Sequence, residues 1–312
     1  MSDPPREAPE QGVSRRMLFG LGLGRVLDEG LKGLQLSDEP ARPEEPGSSA
    51  ASVRERVRAA WSEGDYDTFG RLLEPAAEAL VHACGVGPGL RLLDVGAGDG
   101  NVALAAARLG AEVVACDLSE AMVERGRDRA DAAGCEVEWV VGDAERLPFA
   151  EASFDCVLSS FGVIHAPDPR RAAAELDRVV RAGGQIGLNA WSPAGVMGKV
   201  LALAADRLGR PEARTAARWG RYEDAYRWFG FHDEFDVKEE KLRLEPGSEE
   251  EAIRLFCDPP GPLATIGEQA HPEGLEEELA GVLAEHRLES ANGFALELDY
   301  AMILAGKPRQ FG

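Results

Sequence analysis

Between residues 91 and 191 short apolar runs alternate with longer stretches in which apolar residues recur every three or four positions. The runs at 92–95 (LLDV), 112–116 (EVVAC), 136–141 (EVEWVV), 156–159 (CVLS) and 185–191 (QIGLNAW) predict five strands. Helices are predicted between them. One carries Val102, Leu104, Ala105, Ala106 and Leu109 and is closed by Gly110; a second is capped by Ser119 and runs to Ala132; a third spans 170–181. Strands separated by helices imply a parallel sheet with right-handed crossovers, a doubly wound, Rossmann-like α/β domain.

The flanks are less regular. Val53, Val57, Ala60 and Trp61 predict a helix that breaks at Gly64 and Asp65, and a second helix is expected from Pro75, a residue suited to a first helical turn, to Cys84. Downstream, helices are predicted at 196–208, 249–256 and 273–288, with strands at 236–244 and 294–304 (FALELDYAMIL). The helices between those two strands read as an insertion covering the site. Residues 1–50, rich in Pro, Glu, Gly and Ser, read as a flexible tail before a domain at 51–312, itself a cofactor-binding core (51–191) and substrate-side elements (192–312). Within the tail, residues 14–27 (SRRMLFGLGLGRVL) resemble a twin-arginine export signal, with Arg25 and Asp28 interrupting the apolar stretch and no A-x-A site after it. Residues 14–34 also fit an amphipathic helix presenting Phe19, Leu23, Val26, Leu27 and Leu34. A cytoplasmic location is expected, with export as the alternative.

Composition narrows the function. With 34 basic and 55 acidic residues the formal charge is -21, which repels nucleic acid phosphates. The five cysteines stand singly, with no C-x-x-C pair to hold zinc, so no metal is expected. No run reaches the roughly eighteen apolar residues of a membrane span.

In doubly wound sheets ligands bind beyond the carboxyl ends of the strands. After the first strand come Gly96, Ala97, Gly98, Asp99 and Gly100, a turn that tolerates positive φ and lets a ligand approach bare backbone. A dinucleotide fingerprint needs a third glycine at position 101, where this chain has Asn101. Asp117 ends the second strand and suits the paired hydroxyls of a ribose. Asp143 and Ala144 follow the third strand and suit an adenine edge, while Leu118 and Met122 offer apolar walls for a flat base. Ser159, Ser160 and Phe161 close the fourth strand. Each residue singly is also consistent with plain turn or cap chemistry.

In combination, LDVGAGDG, Asp117 and GDAERLPF (142–149) resemble a class I S-adenosylmethionine-dependent methyltransferase. Residues 152–186 (ASFDCVLSSFGVIHAPDPRRAAAELDRVVRAGGQI) are similar to the branch that includes the ubiquinone and menaquinone biosynthesis methyltransferases. The resemblance covers about 51–191 and implies a seven-stranded, mostly parallel sheet whose last strand is antiparallel. It also implies that Asp94, Gly96, Ala97, Gly98 and Gly100 meet the methionine tail and nearby ribose face of S-adenosylmethionine. Asp117 would then bind the ribose, Asp143 and Ala144 the adenine, and the loop from Ser159 to Phe161 would lie near the sulfonium. His165 is the histidine of a strand-end loop and is the candidate general base, or else a helix cap or surface residue. Trp191 is a candidate wall for a small organic acceptor; Tyr66 and Trp219 read as core or lid packing. The expected function is methyl transfer to such an acceptor, the alternative a non-catalytic S-adenosylmethionine-binding protein. A nicotinamide oxidoreductase is excluded by Asn101. Oligomeric state does not follow from the sequence.

Overall fold

The computed structural model describes residues 53–56, 58–59, 66–258, 263, 272–290 and 293–309. The predicted leader segment and Val57, Ala60 and Trp61 lie outside them. Among the described residues the elements run α1 (Tyr66–Ala83), β1 (Arg91–Val95), α2 (Asn101–Arg108), β2 (Glu112–Asp117), α3 (Glu120–Ala133), β3 (Val137–Val141), β4 (Phe154–Ser160), a single 3-10 turn (Val163–His165), α4 (Pro169–Val179) and β5 (Val180–Trp191). There follow α5 (Val196–Arg207), α6 (Pro211–Ala216), α7 (Tyr222–Phe229), β6 (Glu234–Gly247), α8 (Glu249–Cys257), α9 (Leu275–Glu285), β7 (Arg287–Ser290) and β8 (Gly293–Gly306).

The strands form one sheet in the order β3-β2-β1-β4-β5-β8-β6, with β7 also paired to β8. The first five strands are mutually parallel, and β8 is antiparallel to both β5 and β6. Central strands β1 and β4 are apolar and buried on both faces, as a sheet covered by helices on either side requires. Register brings their carboxyl ends level: Val95 pairs with Cys116, Asp117 with Val141, and Ser160 with Asn189. The loops carrying the candidate site residues therefore open on one edge. Helix α2 buries Val102, Ala103, Leu104, Ala105 and Ala106 against α1 and the sheet, a packing its alanine-rich sequence permits.

Three expectations require correction. Helix α1 begins at Tyr66, so Pro75 lies inside it rather than at its start. An interior proline forfeits a backbone hydrogen bond; here Leu73, Ala76, Ala77, Leu80 and Val81 are buried on both sides of it, and that burial carries the helix through. The helix expected at 273–288 stops at Glu285, and residues Arg287–Ser290 form an eighth strand. The reason lies in β8, which outruns its neighbour: β5 pairs with it only from Tyr300 onward, and β7 takes the bared edge from Gly293 to Leu296. Finally, α4 ends at Val179 and β5 starts at Val180, five residues before the predicted strand.

Candidate active site

The site is built on the turn after β1. Gly96, Gly98 and Gly100 all take positive φ (65°, 57° and 97°), which coils the chain tightly before α2 begins. Gly96 also touches the loop after β4: a Cβ on Gly162 would lie 2.1 Å from the Gly96 carbonyl oxygen. Ser159 fastens the same junction. Its hydroxyl donates to the Val95 carbonyl at 2.6 Å and accepts from the Val163 amide at 2.9 Å.

Two carboxylates, Asp94 buried and Asp117 half-buried, face the glycine turn. Asp117 accepts from the Gly98 amide at 2.8 Å with one oxygen and from the Ser119 amide at 2.9 Å with the other. Asp94 accepts from the Ala103 amide at 3.0 Å, in the first turn of α2. Burial raises the pKa of Asp117 and pushes that of Asp94 up to about 8, with the neighbouring charges of Asp117 and Asp99 adding to the effect on Asp94. Such groups call for donors, and hydroxyls or an ammonium arriving from the cavity would supply them. The residues present thus fit a ribose and an amino-acid tail.

Arg129 on α3, which the sequence reading did not single out, holds the turn from behind. Its guanidinium meets Asp99 at 3.0 Å, donates to the Asn101 side-chain oxygen at 2.7 Å and pairs with Glu74 of α1. Asn101 in turn donates to the Gly70 carbonyl at 2.7 Å. The residue that breaks the dinucleotide fingerprint therefore ties the turn to α1. Only its polar character was visible in the sequence, since its partners lie on two other helices.

Eleven of the thirteen expected site residues line a single cavity at the strand ends: Asp94, Gly96, Ala97, Gly98, Asp117, Leu118, Met122, Asp143, Ala144, Phe161 and His165. Two do not. Gly100 faces the indole of Trp139, where a Cβ would sit 2.8 Å from the ring, and Ser159 is buried in the junction just described, leaving Ser160 to reach the cavity. Asp143 has one oxygen on the Glu145 amide at 2.9 Å and the other on the Arg54 guanidinium at 2.7 Å. Arg54 pairs with the buried Glu145 as well.

The rest of the lining of this cavity is largely apolar. Phe161, a non-glycine residue at φ 61°, stacks on Trp191 with ring centroids 3.8 Å apart and 13° between planes. Leu73, Met197, Leu201, Ala204 and Ala213 complete this wall. Trp219 is fully buried against Trp228 and is core; the side chain of Tyr66 lies outside the described residues. At the far end, Arg56 holds Glu212 of α6 through two contacts of 3.2 Å, and Arg210 and His165 stand beside that pair. Burial pushes the His165 imidazole down to about 4, against the opposing pull of Glu212, so the ring is neutral near pH 7. Among the described residues no cluster suited to a metal ion occurs, and no helix is long and apolar enough to cross a membrane.

The doubly wound sheet thus carries an antiparallel strand beside β5, a glycine turn after β1 and an acid ending β2. Residues 93–188 match the family model described as a methyltransferase domain. It is 40% identical over 189 residues to an uncharacterized protein of Mycobacterium tuberculosis (strain ATCC 25618 / H37Rv), an alignment covering 59% of this chain and 66% of that protein. A demethylmenaquinone methyltransferase of Renibacterium salmoninarum is 41% identical over 107 residues, 34% of this chain and 44% of that enzyme. The fold resembles the crystal structure of the YcgJ protein of Bacillus subtilis with a TM-score of 0.54 at 20% identity, over 75% of this chain and 99% of that one. The chain thus spans just under two thirds of the curated relatives it matches first.

Proposed function

We propose that this protein transfers the methyl group of S-adenosylmethionine to a small organic acceptor held against the apolar lining of the cavity. The observation that carries the reading is continuity: a single cavity joins the Asp94, Gly98 and Asp117 end to the Trp191, Met197 and Leu201 end. On this reading Asp117 binds the ribose hydroxyls and Asp94 with Gly96, Ala97 and Gly98 the methionine tail. Leu118 and Met122 sandwich the adenine, and Asp143 and Ala144 meet its edge, with Arg54 sharing Asp143.

The donor supplies a methyl carbon already activated by its sulfonium, so the chain's task is to hold the acceptor in line with that carbon and keep water away. Phe161 and Trp191 exclude water and present flat apolar faces. His165 accepts the acceptor's proton at an imidazole nitrogen. A weak base suffices there, because an acceptor oxygen becomes strongly acidic as it gains the methyl group. Cytoplasm is the proposed location, where the donor is made.

Calorimetry with S-adenosylhomocysteine tests the donor assignment, and transfer of labelled methyl to an acceptor panel tests turnover. His165→Ala is expected to leave S-adenosylhomocysteine affinity unchanged and to lower turnover on hydroxyl acceptors by about 10²–10⁴-fold. Binding without turnover on any acceptor would favour a non-catalytic binding protein instead.

A further inference from the structure

Strand β4 lies between β1, which carries Asp94, and β5, which ends at Trp191. Side chains alternate along a strand, so register fixes which of them share a face. Asp94 pairs with Leu158; two residues on, Ser160 pairs with Asn189, itself two residues before Trp191. Asp94, Ser160, Asn189 and Trp191 therefore project from one face of the sheet. Of these, Asp94, Ser160 and Trp191 line the cavity, with Ser160 on the middle strand.

The hydrogen bonds around Ser160 settle the direction of its hydroxyl chemistry. Asn189 is fully buried, and its side-chain nitrogen donates to the Ala76 carbonyl at 2.9 Å and to the Ser160 hydroxyl oxygen at 3.1 Å. A carbonyl only accepts, so turning the amide about would set its oxygen against that of Ala76. Asn189 thus meets Ser160 as a donor, and Ser160 accepts. The Ser160 hydroxyl hydrogen finds no acceptor among the described residues. Neighbouring donors are already engaged. The Gly96 and Ala97 amides go to the Cys116 carbonyl at 2.8 and 3.1 Å, the Gly98 amide to Asp117, and the Asn101 side-chain nitrogen to the Gly70 carbonyl. A ligand oxygen arriving over β4 meets a hydroxyl with its hydrogen uncommitted, and a ligand without such an oxygen would cover that hydroxyl at a cost.

We propose that Ser160 is a ligand-binding residue, donating its hydroxyl hydrogen to a lone-pair oxygen of the molecule in the cavity, and that Asn189 is the positioning residue that confines it to that role. The oxygen belongs either to the carboxylate of the donor's methionine tail or to the methyl acceptor, because Ser160 adjoins β1 on one side and β5 on the other. This rests on the donor reading given above and adds a binding residue to the same site.

Calorimetry on the full chain with S-adenosylhomocysteine and with 5′-methylthioadenosine, which keeps the nucleoside and sulfur and lacks the amino-acid tail, tests the first source. If the methionine carboxylate is the partner, Ser160→Ala weakens S-adenosylhomocysteine about tenfold or more and leaves 5′-methylthioadenosine unchanged, as loss of one hydrogen bond to a charged group implies. If the methyl acceptor supplies the oxygen, S-adenosylhomocysteine affinity is unchanged, and kcat/KM for labelled-methyl transfer to phenol and carboxylate acceptors falls by a similar factor. In either case Ser160→Thr, which keeps the hydroxyl, restores most of the loss. Asn189→Leu costs less than Ser160→Ala and adds nothing to it in the double variant. Native affinity and native turnover in Ser160→Ala overturn the proposal. An equal loss for both nucleosides does so too, since it marks a loosened cavity. Where the native protein turns over no acceptor of the panel, calorimetry alone decides, and an unchanged S-adenosylhomocysteine affinity overturns the proposal. A native protein that takes up no S-adenosylhomocysteine fails at the donor reading itself, a result visible before any variant is compared.

Discussion

Replacing Asp117 with alanine removes one carboxylate from a place where two backbone amides and, on the proposed reading, two ribose hydroxyls converge. Both amide contacts are short, 2.8 Å to Gly98 and 2.9 Å to Ser119. Hydrogen bonds to a charged acceptor contribute roughly 1.5–3 kcal/mol each, so losing the ribose pair should weaken S-adenosylhomocysteine by at least about 3 kcal/mol, a factor of ~100 in Kd. Part of any loss could come from a loosened glycine turn, because the Gly98 amide forfeits its partner. A cycle separates the two. S-adenosylhomocysteine and its 2′,3′-dideoxy analogue are titrated into native and Asp117→Ala protein by calorimetry. If Asp117 holds the ribose, deleting the hydroxyls costs the native protein heavily and the variant little. An equal penalty in both proteins would refute the assignment and leave Asp117 with a structural role alone, and so would an Asp117→Ala variant with native affinity.

Other outcomes follow from the same geometry. Gly162→Ala places a methyl 2.1 Å from the Gly96 carbonyl oxygen, so the two strand-end loops must part; a loss of about 1–3 kcal/mol in urea unfolding is expected. Arg129→Met strips the buried Asp99 of its guanidinium and should cost about 3 kcal/mol by the same measurement, with faster amide exchange in 96–101. Asp94 binds its proton more tightly folded (about 8) than unfolded (3.8), so its contribution is fully present below the unfolded value and is lost as pH rises toward the folded one. The half-buried His165, lowered to about 4, acts oppositely between that value and 6.5, which leaves the Asp94 effect unopposed by it above 6.5. Native protein should therefore lose stability relative to Asp94→Asn between pH 6.5 and 8, at up to about 1.4 kcal/mol per pH unit; parallel stability curves for the two would contradict the buried-carboxyl picture.

The parallel half of the fold was legible because each of its strands is a local event: an apolar run closed by glycine or acid, with a periodic helix behind it. What sequence reasoning missed depended on neighbours. Pro75 looks like a helix start because proline suits a first turn, and only the burial of Leu73 and Ala76 on either side shows why the helix continues through it. Residues 287–290 look helical in their Glu- and Leu-rich setting, and become a strand because β8 presents an unpaired edge beyond the reach of β5. Helices α6 and α7 were not anticipated; α6 is only six residues long, too short to show a period.

The same division runs through the site. Asp94, Gly98, Asp117, Asp143 and Ala144 announce themselves because each lies within three residues of a strand's carboxyl end, so position in the chain fixes position in the cavity. The arginines of the lining obey no such rule. Arg56 and Glu212 are 156 residues apart, and Arg54 reaches Glu145 across 91. The helical residues 53–56 therefore touch the loop after β3 with Arg54 and α6 with Arg56, both of which line the cavity. In the linear sequence those arginines look like any charged helix face. Their meaning comes from what they meet, and no strand end announces it.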